Sequence, residues 1–310
     1  MSELLLESPF KYRQCNVSTA NEKHSISLKE INKLVQKEKL QYIDIEILQT
    51  IYKFKYLNRY NIEKYINSNR DIPEKIKKSS YKKNLSKLMK YGLVVRYYFY
   101  WNKASSVDIY NQSPNFYSLS RGSLGYLSKK YRYNINIDDY MILESPENLM
   151  RKLSFNQVYV NIMCNYNPLN YYIDIKTSNK PIKNYIPGIF YFAIDENTIA
   201  PFVIFSVRRV DRWEQELIND LITYSNFMDK KNLFKNSKVL SSPIYLGICE
   251  DDLHIKEVHE ELKDTTVSQY NYIFTTDITA AKCNLFEKIY MCGSLEGNTT
   301  IEVKKLHLYD

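Results

Sequence analysis

The apolar positions along the chain change period several times, and each change marks an expected element. SLKEINKLVQKEKL (residues 27–40) places Leu28, Ile31 and Val35 at helical spacing behind Ser25 or Ser27 as a cap. IDIEILQTIYKFKYL (43–57) sets Ile45, Leu48, Ile51 and Tyr52 on one broad apolar face and predicts a core helix. A short helix follows around Arg59–Ile66, with Ile62, Tyr65 and Ile66 inward, and NSNRDIP (67–73) breaks it with turn residues and a proline. The next helix starts between Pro73 and Ser80. Its Tyr81, Leu85, Leu88 and Met89 fall within an arc of about 100° at 3.6 residues per turn. Ser80, Lys83, Lys87 and Lys90 point the other way. Gly92 ends the helix, because glycine tolerates the left-handed conformation just past a helix end.

After Gly92 the period shortens. LVVRYYFYW is β-branched and aromatic and predicts a strand; NKASSVDIYNQSPN is a polar connection, NFYSLS a returning strand, and SRGSLGYLSKKY a short closing helix. Three helices followed by a two-stranded hairpin describe a winged helix-turn-helix, whose recognition helix would be the lysine-rich run 80–90. Residues 1–25 show no periodicity, and INIDDYMILESPEN (135–148) has the acidic, polar composition of a linker.

Beyond the linker the pattern alternates. A helix across SPENLMRKLSFNQVYVNIMCNY precedes strands in NYYIDIKTS, GIFYFAID and APFVIFSVRR. A long amphipathic helix follows in DRWEQELINDLITYSNFMDKK, then a strand in PIYLGICED, a short helix in EVHEEL and a strand in YNYIFTTD.

Charge sharpens this picture because of where it sits. Of the formal +8, residues 51–100 carry 13 Lys and Arg against 3 Asp and Glu, while residues 151–310 carry 18 against 20. One sign concentrated on a small module attracts polyanions. The 29 tyrosines follow the Asn, Ile and Lys excess of an AT-rich gene and do not signal a tyrosine nucleophile. Five cysteines without a CxxC pair point away from a disulfide framework or zinc ribbon. His254 and His259 are five apart, unlike the pair of HExxH, and no GxxxxGK[ST] occurs. MSELLLESPF has acidic residues where a secretory signal has a positive start, and the longest apolar runs have strand length. A cytoplasmic protein without membrane association is expected.

The pairing of Leu85–Leu88–Gly92–Leu93–Val94–Arg96 (LxxLxxxGLVxR) with FYSLSRGSLGYL (116–127) resembles the replication-relaxation family of bacterial plasmids and other mobile elements. The resemblance implies a winged-helix module linked to plasmid replication or DNA relaxation, with a degenerate nuclease-like domain behind it. The order helix, three strands, helix, strand is in turn similar to the PD-(D/E)XK nuclease core. Such a core needs a metal-binding aspartate on one strand and a Glu-x-Lys pair on the next. Here Gly188 stands at the aspartate position, Ser206 at the acid and Arg208 at the lysine. Asp174, Asp195 and Glu196 are the carboxylates that would have to migrate into the role. Arg208 and Arg209, beside Gly188 and Ser206, would repel a cation and welcome a phosphate.

The expected fold class is therefore α+β. Residues 1–40 form an extension with a helix, 41–134 a winged helix-turn-helix, and 146–310 an α/β domain resembling a degenerate PD-(D/E)XK core. The expected function is sequence-specific binding of double-stranded DNA by a homodimer, as a regulator or accessory factor in replication, transfer or transcription of a plasmid, phage or other mobile element. The expected DNA contacts are Ser79, Ser80, Lys82, Lys83, Lys87, Lys90, Arg96 and Lys103. No catalytic residue, metal or cofactor is expected. The rivals are a metal-dependent nuclease with relocated carboxylates and a protein-interaction adaptor whose basic helix is a solvated face.

Overall fold

A computed structural model describes residues 10, 15–19, 26–69, 73, 80–100, 115–176, 185–230, 238–240, 242–295 and 298–309. The chain is mixed α+β and divides into two compact units, residues 13–149 and residues 1–12 with 150–310. No described helix is long and apolar enough to cross a membrane.

The first unit runs β1 (Asn16–Thr19), α1 (Leu28–Gln36), α2 (Tyr42–Phe54), β2 (Leu57–Asn58), α3 (Arg59–Ser68), α4 (Tyr81–Lys90), β3 (Val94–Tyr100), β4 (Phe116–Leu119), α5 (Arg121–Tyr131) and α6 (Ile137–Met141). Its antiparallel sheet has the order β1-β3-β4-β2. Thus β3 and β4 form the expected hairpin, with Val94 opposite Leu119 and Tyr97 opposite Phe116. Two strands were not expected. NVST, inside the stretch without periodicity, pairs along β3 from Asn16–Tyr100 to Thr19–Tyr97. Leu57 and Asn58 pair with Tyr117 and Phe116. Four- and two-residue strands are too short to show an alternation, so their partners alone define them.

The core of this unit is the apolar face shared by α2, α3, α4 and the hairpin: Ile47, Leu48, Ile51, Ile62, Leu85 and Leu88 are all essentially inaccessible. On α2 the buried face is centred on Ile43, Ile47, Ile51 and Phe54, and the expected Ile45 and Tyr52 lie at its margin. The expected linker 135–148 is docked instead of free. The Tyr140 hydroxyl donates to the carbonyls of Ile51 and Lys55 at 3.3 Å, and Lys55 Nζ meets Glu144 at 3.0 Å. Tyr133 stacks on Tyr52 with centroids 4.8 Å apart. Aromatic rings anchor a segment whose overall composition is polar.

Two phrases separated in sequence meet at one carbonyl. Past α4, Gly92 adopts φ 68°; its N–H donates to Met89 O at 2.9 Å and that of Leu93 to Leu88 O at 2.9 Å. This pair of bonds is a Schellman motif, which satisfies the last carbonyls and turns the chain into β3. Leu93 O then accepts from Ser120 N at 3.0 Å and from Ser123 Oγ at 2.7 Å. SLSRGS is thereby locked to GLV. A Cβ at Gly122 would overlap the carbonyl oxygen of Ile26, so glycine there lets the segment leading into α1 lie against α5. Ser27, one of the two expected caps, forms a capping box with Glu30 at the start of α1.

The second unit holds α7 (Pro146–Asn165, whose first turn falls before the division), β5 (Asn170–Lys176), β6 (Tyr185–Ala193), β7 (Ile199–Ser206), α8 (Trp213–Lys230), β8 (Ile244–Cys249), α9 (Asp252–Lys263), β9 (Asn271–Thr276), α10 (Asp277–Lys282), β10 (Ile289–Leu295) and β11 (Asn298–Lys304). These strands form one sheet in the order β11-β10-β9-β8-β7-β6-β5. The β7–β8 and β8–β9 pairs are parallel and the others antiparallel. Every residue from Ile199 to Phe205 is buried, as befits a central strand covered on both faces. Ile199, Val203 and Phe205 join Leu217, Leu221, Ile255 and Val258 of α8 and α9 in one core cluster. An aromatic cluster of Tyr159, Phe190, Phe192, Phe202 and Phe286 also packs in this unit. The helix expected at EVHEEL begins earlier, at Asp252, where Asp251 caps it by accepting from His254 N at 2.8 Å.

Candidate nucleic-acid interface

Helix α4 presents a cationic face because its other face is buried. Tyr81, Leu85 and Leu88 enter the core, and the Tyr81 hydroxyl donates to Asn67 Oδ1 at 2.8 Å. Ser80, Lys82, Lys83, Ser86 and Lys90 are exposed. At 100° per residue, Lys83, Ser86 and Lys90 share an arc of about 60°. The helix has no acidic residue in its first turn, and no described carboxylate pairs with Lys82, Lys83 or Lys90.

Lys87 does something else. Its ammonium pairs with Asp44 of α2, a carboxylate with no accessible surface. Asp44 also accepts from Asn84 Nδ2 at 2.8 Å and from the Gln41 N–H at 2.8 Å. Three donors on one buried carboxylate, two of them from α4, offset the cost of desolvating the charge. The site near the start of α2 adds the favourable end of the helix dipole. Lys87, expected as a DNA contact, is thus a structural partner of Asp44. Neither Asp44 nor Asn84 was expected to matter. The available signal was phase: Asp44 lies three and four residues before Ile47 and Leu48 and seven before Ile51, on the apolar stripe itself.

Other cations of the basic window are also engaged internally. Lys53 Nζ donates to the Tyr65 hydroxyl at 2.7 Å, and Lys55 bonds both Glu144 and the Ile142 carbonyl. Arg96 lies half-buried on β3 opposite Tyr117. Burial raises the Tyr117 phenol, and the nearby Arg96 and Arg59 charges draw it part of the way back. Arg59 is exposed at the start of α3. Ser79 and Lys103 lie outside the described residues. The expected set therefore resolves into an exposed group, Ser80, Lys82, Lys83 and Lys90, with Lys87 and Arg96 set apart from it.

In the second unit, Gly188, Ser206 and Arg208 are packed against other groups. A Cβ on Gly188 would lie 2.6 Å from the Phe155 ring, so an aromatic side chain occupies the space an aspartate would need. Ser206 Oγ is buried without a hydrogen-bond partner among the described residues. Arg208 is wholly buried: it donates to Asp277 Oδ1 at 2.8 Å and to Val207 O at 2.7 Å. Asp277 Oδ1 also accepts from Ser154 Oγ at 2.7 Å, and Gln157 Nε2 donates to the Asp277 carbonyl at 2.6 Å. This network joins α7, the end of β7 and the start of α10. Arg209 is held by Glu250, Asp251 and Glu257 at 2.7 to 3.3 Å. Arg208 is inaccessible, and the partly exposed Arg209 is already engaged by three carboxylates, which departs from the expectation of a phosphate-docking Arg208–Arg209 pair.

The relocated-carboxylate candidates are dispersed. Asp195 is an exposed turn residue whose Oδ1 accepts from Asn197 N at 2.8 Å, a bond that holds its carboxyl below the usual range. Glu196 is exposed and accepts from the Tyr309 hydroxyl. Asp174 lies on β5. The two histidines of α9 have separate roles. Burial, followed by the Arg209 and Arg208 charges, pushes His254 down to about 3, and its Nδ1 accepts from Glu250 N; His259 meets Thr299. Among the described residues no three His, Cys, Asp or Glu side chains form a group able to hold a metal ion.

Two stability effects follow from these networks. Lys87→Ala leaves Asp44 with one charged partner fewer and lowers the unfolding free energy by about 2–3 kcal/mol, whereas Lys83→Ala at an exposed position changes it by less than about 0.5 kcal/mol. Equal urea midpoints for the two variants would contradict the assignment. Arg208→Ala, which strands Asp277 in the interior, lowers stability by about 3–5 kcal/mol. Chemical denaturation of Arg208→Ala beside the double variant Arg208→Met/Asp277→Leu checks this, with the double variant the more stable of the two.

Comparison of the chain with family models, with curated proteins and with solved structures finds no match.

Proposed function

We propose that this chain is a double-stranded DNA-binding protein whose first unit is a winged helix-turn-helix. The observation that carries the reading is the order helix, short strand, helix, helix, hairpin in α2, β2, α3, α4, β3 and β4, with the exposed Lys82, Lys83 and Lys90 on the helix that precedes the hairpin. A helix fits the major groove, and flanking phosphates are neutralised by Lys and Arg. Shape and charge thus coincide on one element, which a helix carrying lysines only for solubility has no reason to show.

The resemblance to the replication-relaxation family extends the reading to a bacterial plasmid, phage or other mobile element, where the protein acts as regulator or accessory factor in replication, transfer or transcription. In this reading the second unit is nuclease-like in element order, α7-β5-β6-β7-α8-β8, and does not cut DNA. Hydrolysis by such a core needs a divalent ion held by convergent carboxylates. Phe155 over Gly188 and the inward Arg208–Asp277 pair support a scaffold in place of that chemistry.

The test is a fluorescence-anisotropy titration of a labelled duplex across a series of salt concentrations. Affinity falls as salt rises, because binding releases counterions from the phosphates. Lys83→Ala/Lys90→Ala weakens binding and makes the log–log slope shallower by about 0.9 for each lost phosphate contact, about 1.8 for the pair. An absence of binding at low salt, or an unchanged slope in the double variant, would remove α4 as the interface.

A further inference from the structure

We propose a second phosphate-docking site in the first unit, where Arg59 at the start of α3, the Tyr117 hydroxyl and the Arg96 guanidinium receive a phosphate of the duplex backbone. The proposal rests on the DNA-binding reading and extends it beyond α4. Two of its residues, Arg59 and Tyr117, were not expected as contacts.

Strand register brings the three side chains together. Arg96 of β3 lies opposite Tyr117 of β4, and Tyr117 lies opposite Leu57 of β2. Directly opposed residues of antiparallel strands share one face of the sheet. Arg96, Tyr117 and Leu57 therefore make one row across it, and Arg59 follows two residues after Leu57, where the chain turns into α3. The Tyr117 phenol feels the charges of both arginines, so its hydroxyl sits near Arg59 as well as Arg96.

The surroundings favour an anion. Tyr117 is only 8% exposed, and its hydroxyl makes no hydrogen bond among the described residues. A buried phenol ordinarily finds a partner, and the charges that act on this one are both positive. Arg59 is exposed, and the first turn of α3 holds no acidic residue. Asn58 caps that turn by accepting from the Asn61 N–H at 2.8 Å. The positive end of the helix dipole adds to the two guanidiniums. Arginines, tyrosine hydroxyls and helix starts are among the groups that meet phosphate oxygens along a duplex. A guanidinium can meet two such oxygens at once through its planar fork. Both α3 and β3 pack against α4, so the site flanks the helix that carries the exposed lysines.

The experiment is a salt-series anisotropy titration of a labelled duplex with the full chain, Arg59→Ala, Tyr117→Phe and Lys83→Ala/Lys90→Ala. Arg59→Ala weakens binding and makes the log–log slope shallower by about 0.9, the value for one phosphate contact. Tyr117→Phe removes the hydroxyl alone. It weakens binding roughly tenfold, the worth of a hydrogen bond to a charged group, and leaves the slope unchanged. Urea midpoints equal to that of the full chain separate a lost contact from a lost fold. If Tyr117→Phe does not fold, Arg59→Ala at its exposed position carries the comparison. Unchanged affinity and slope in Arg59→Ala, while Lys83→Ala/Lys90→Ala still weakens binding, overturn the proposal alone. Unchanged affinity in a folded Tyr117→Phe overturns it too. Binding to no duplex by the full chain overturns the proposal and the DNA-binding reading together.

Discussion

One buried carboxylate organises the first unit. Asp44 has no accessible surface, and an ionised group in that position is tolerated only where donors surround it. Two of its three donors belong to α4, so the requirement to neutralise Asp44 fixes the rotation of α4 about its axis. That rotation sends Tyr81, Leu85 and Leu88 into the core and leaves Lys83, Ser86 and Lys90 outward. It also sets the end of the helix, where Gly92 reverses the chain into β3 and Leu93 O takes up Ser120 and Ser123. The hairpin and α5 therefore inherit their position from the helix that Asp44 holds.

The second unit obeys the same rule with the signs exchanged. Arg208 is a buried cation, and Asp277, Ser154 and the Val207 carbonyl meet it or its partner. A guanidinium is always charged and presents several donors in a rigid fork, which suits it to tie together helix α7, the end of β7 and the start of α10. The interior thus carries its own cation and its own acid, paired with each other.

Much of the fold was legible in the sequence because long elements impose a period. The α4 face, the Gly92 stop, the β3–β4 hairpin and the central strands of the second sheet all follow from spacing alone. Short strands such as NVST and Leu57–Asn58 carry no period and exist only through their partners. The hairpin of β10 and β11 lies in a stretch for which no element was expected. The region 135–148 looked like a linker because its anchors are Tyr140, Ile142 and Glu144 bonded to residues more than eighty positions away. The site was legible as a charge pattern, but not which lysines are available. Periodicity placed Lys87 on the polar face, and only the position of Asp44 on the apolar stripe of another helix shows that it is engaged. A pairing between helices has no signature in either one.

The reactivity of individual lysine amines tests the central claim most directly: that Asp44 engages the Lys87 ammonium while Lys82, Lys83 and Lys90 stay exposed, the group we propose to meet DNA. Acetylation rates of each amine, read by mass spectrometry with and without duplex, report availability and contact in one measurement. The account predicts that Lys82, Lys83 and Lys90 react quickly in the free protein and are protected by duplex, while Lys87 reacts slowly in both states. A Lys87 that reacts as quickly as Lys83 in the free protein and is protected by DNA would contradict it.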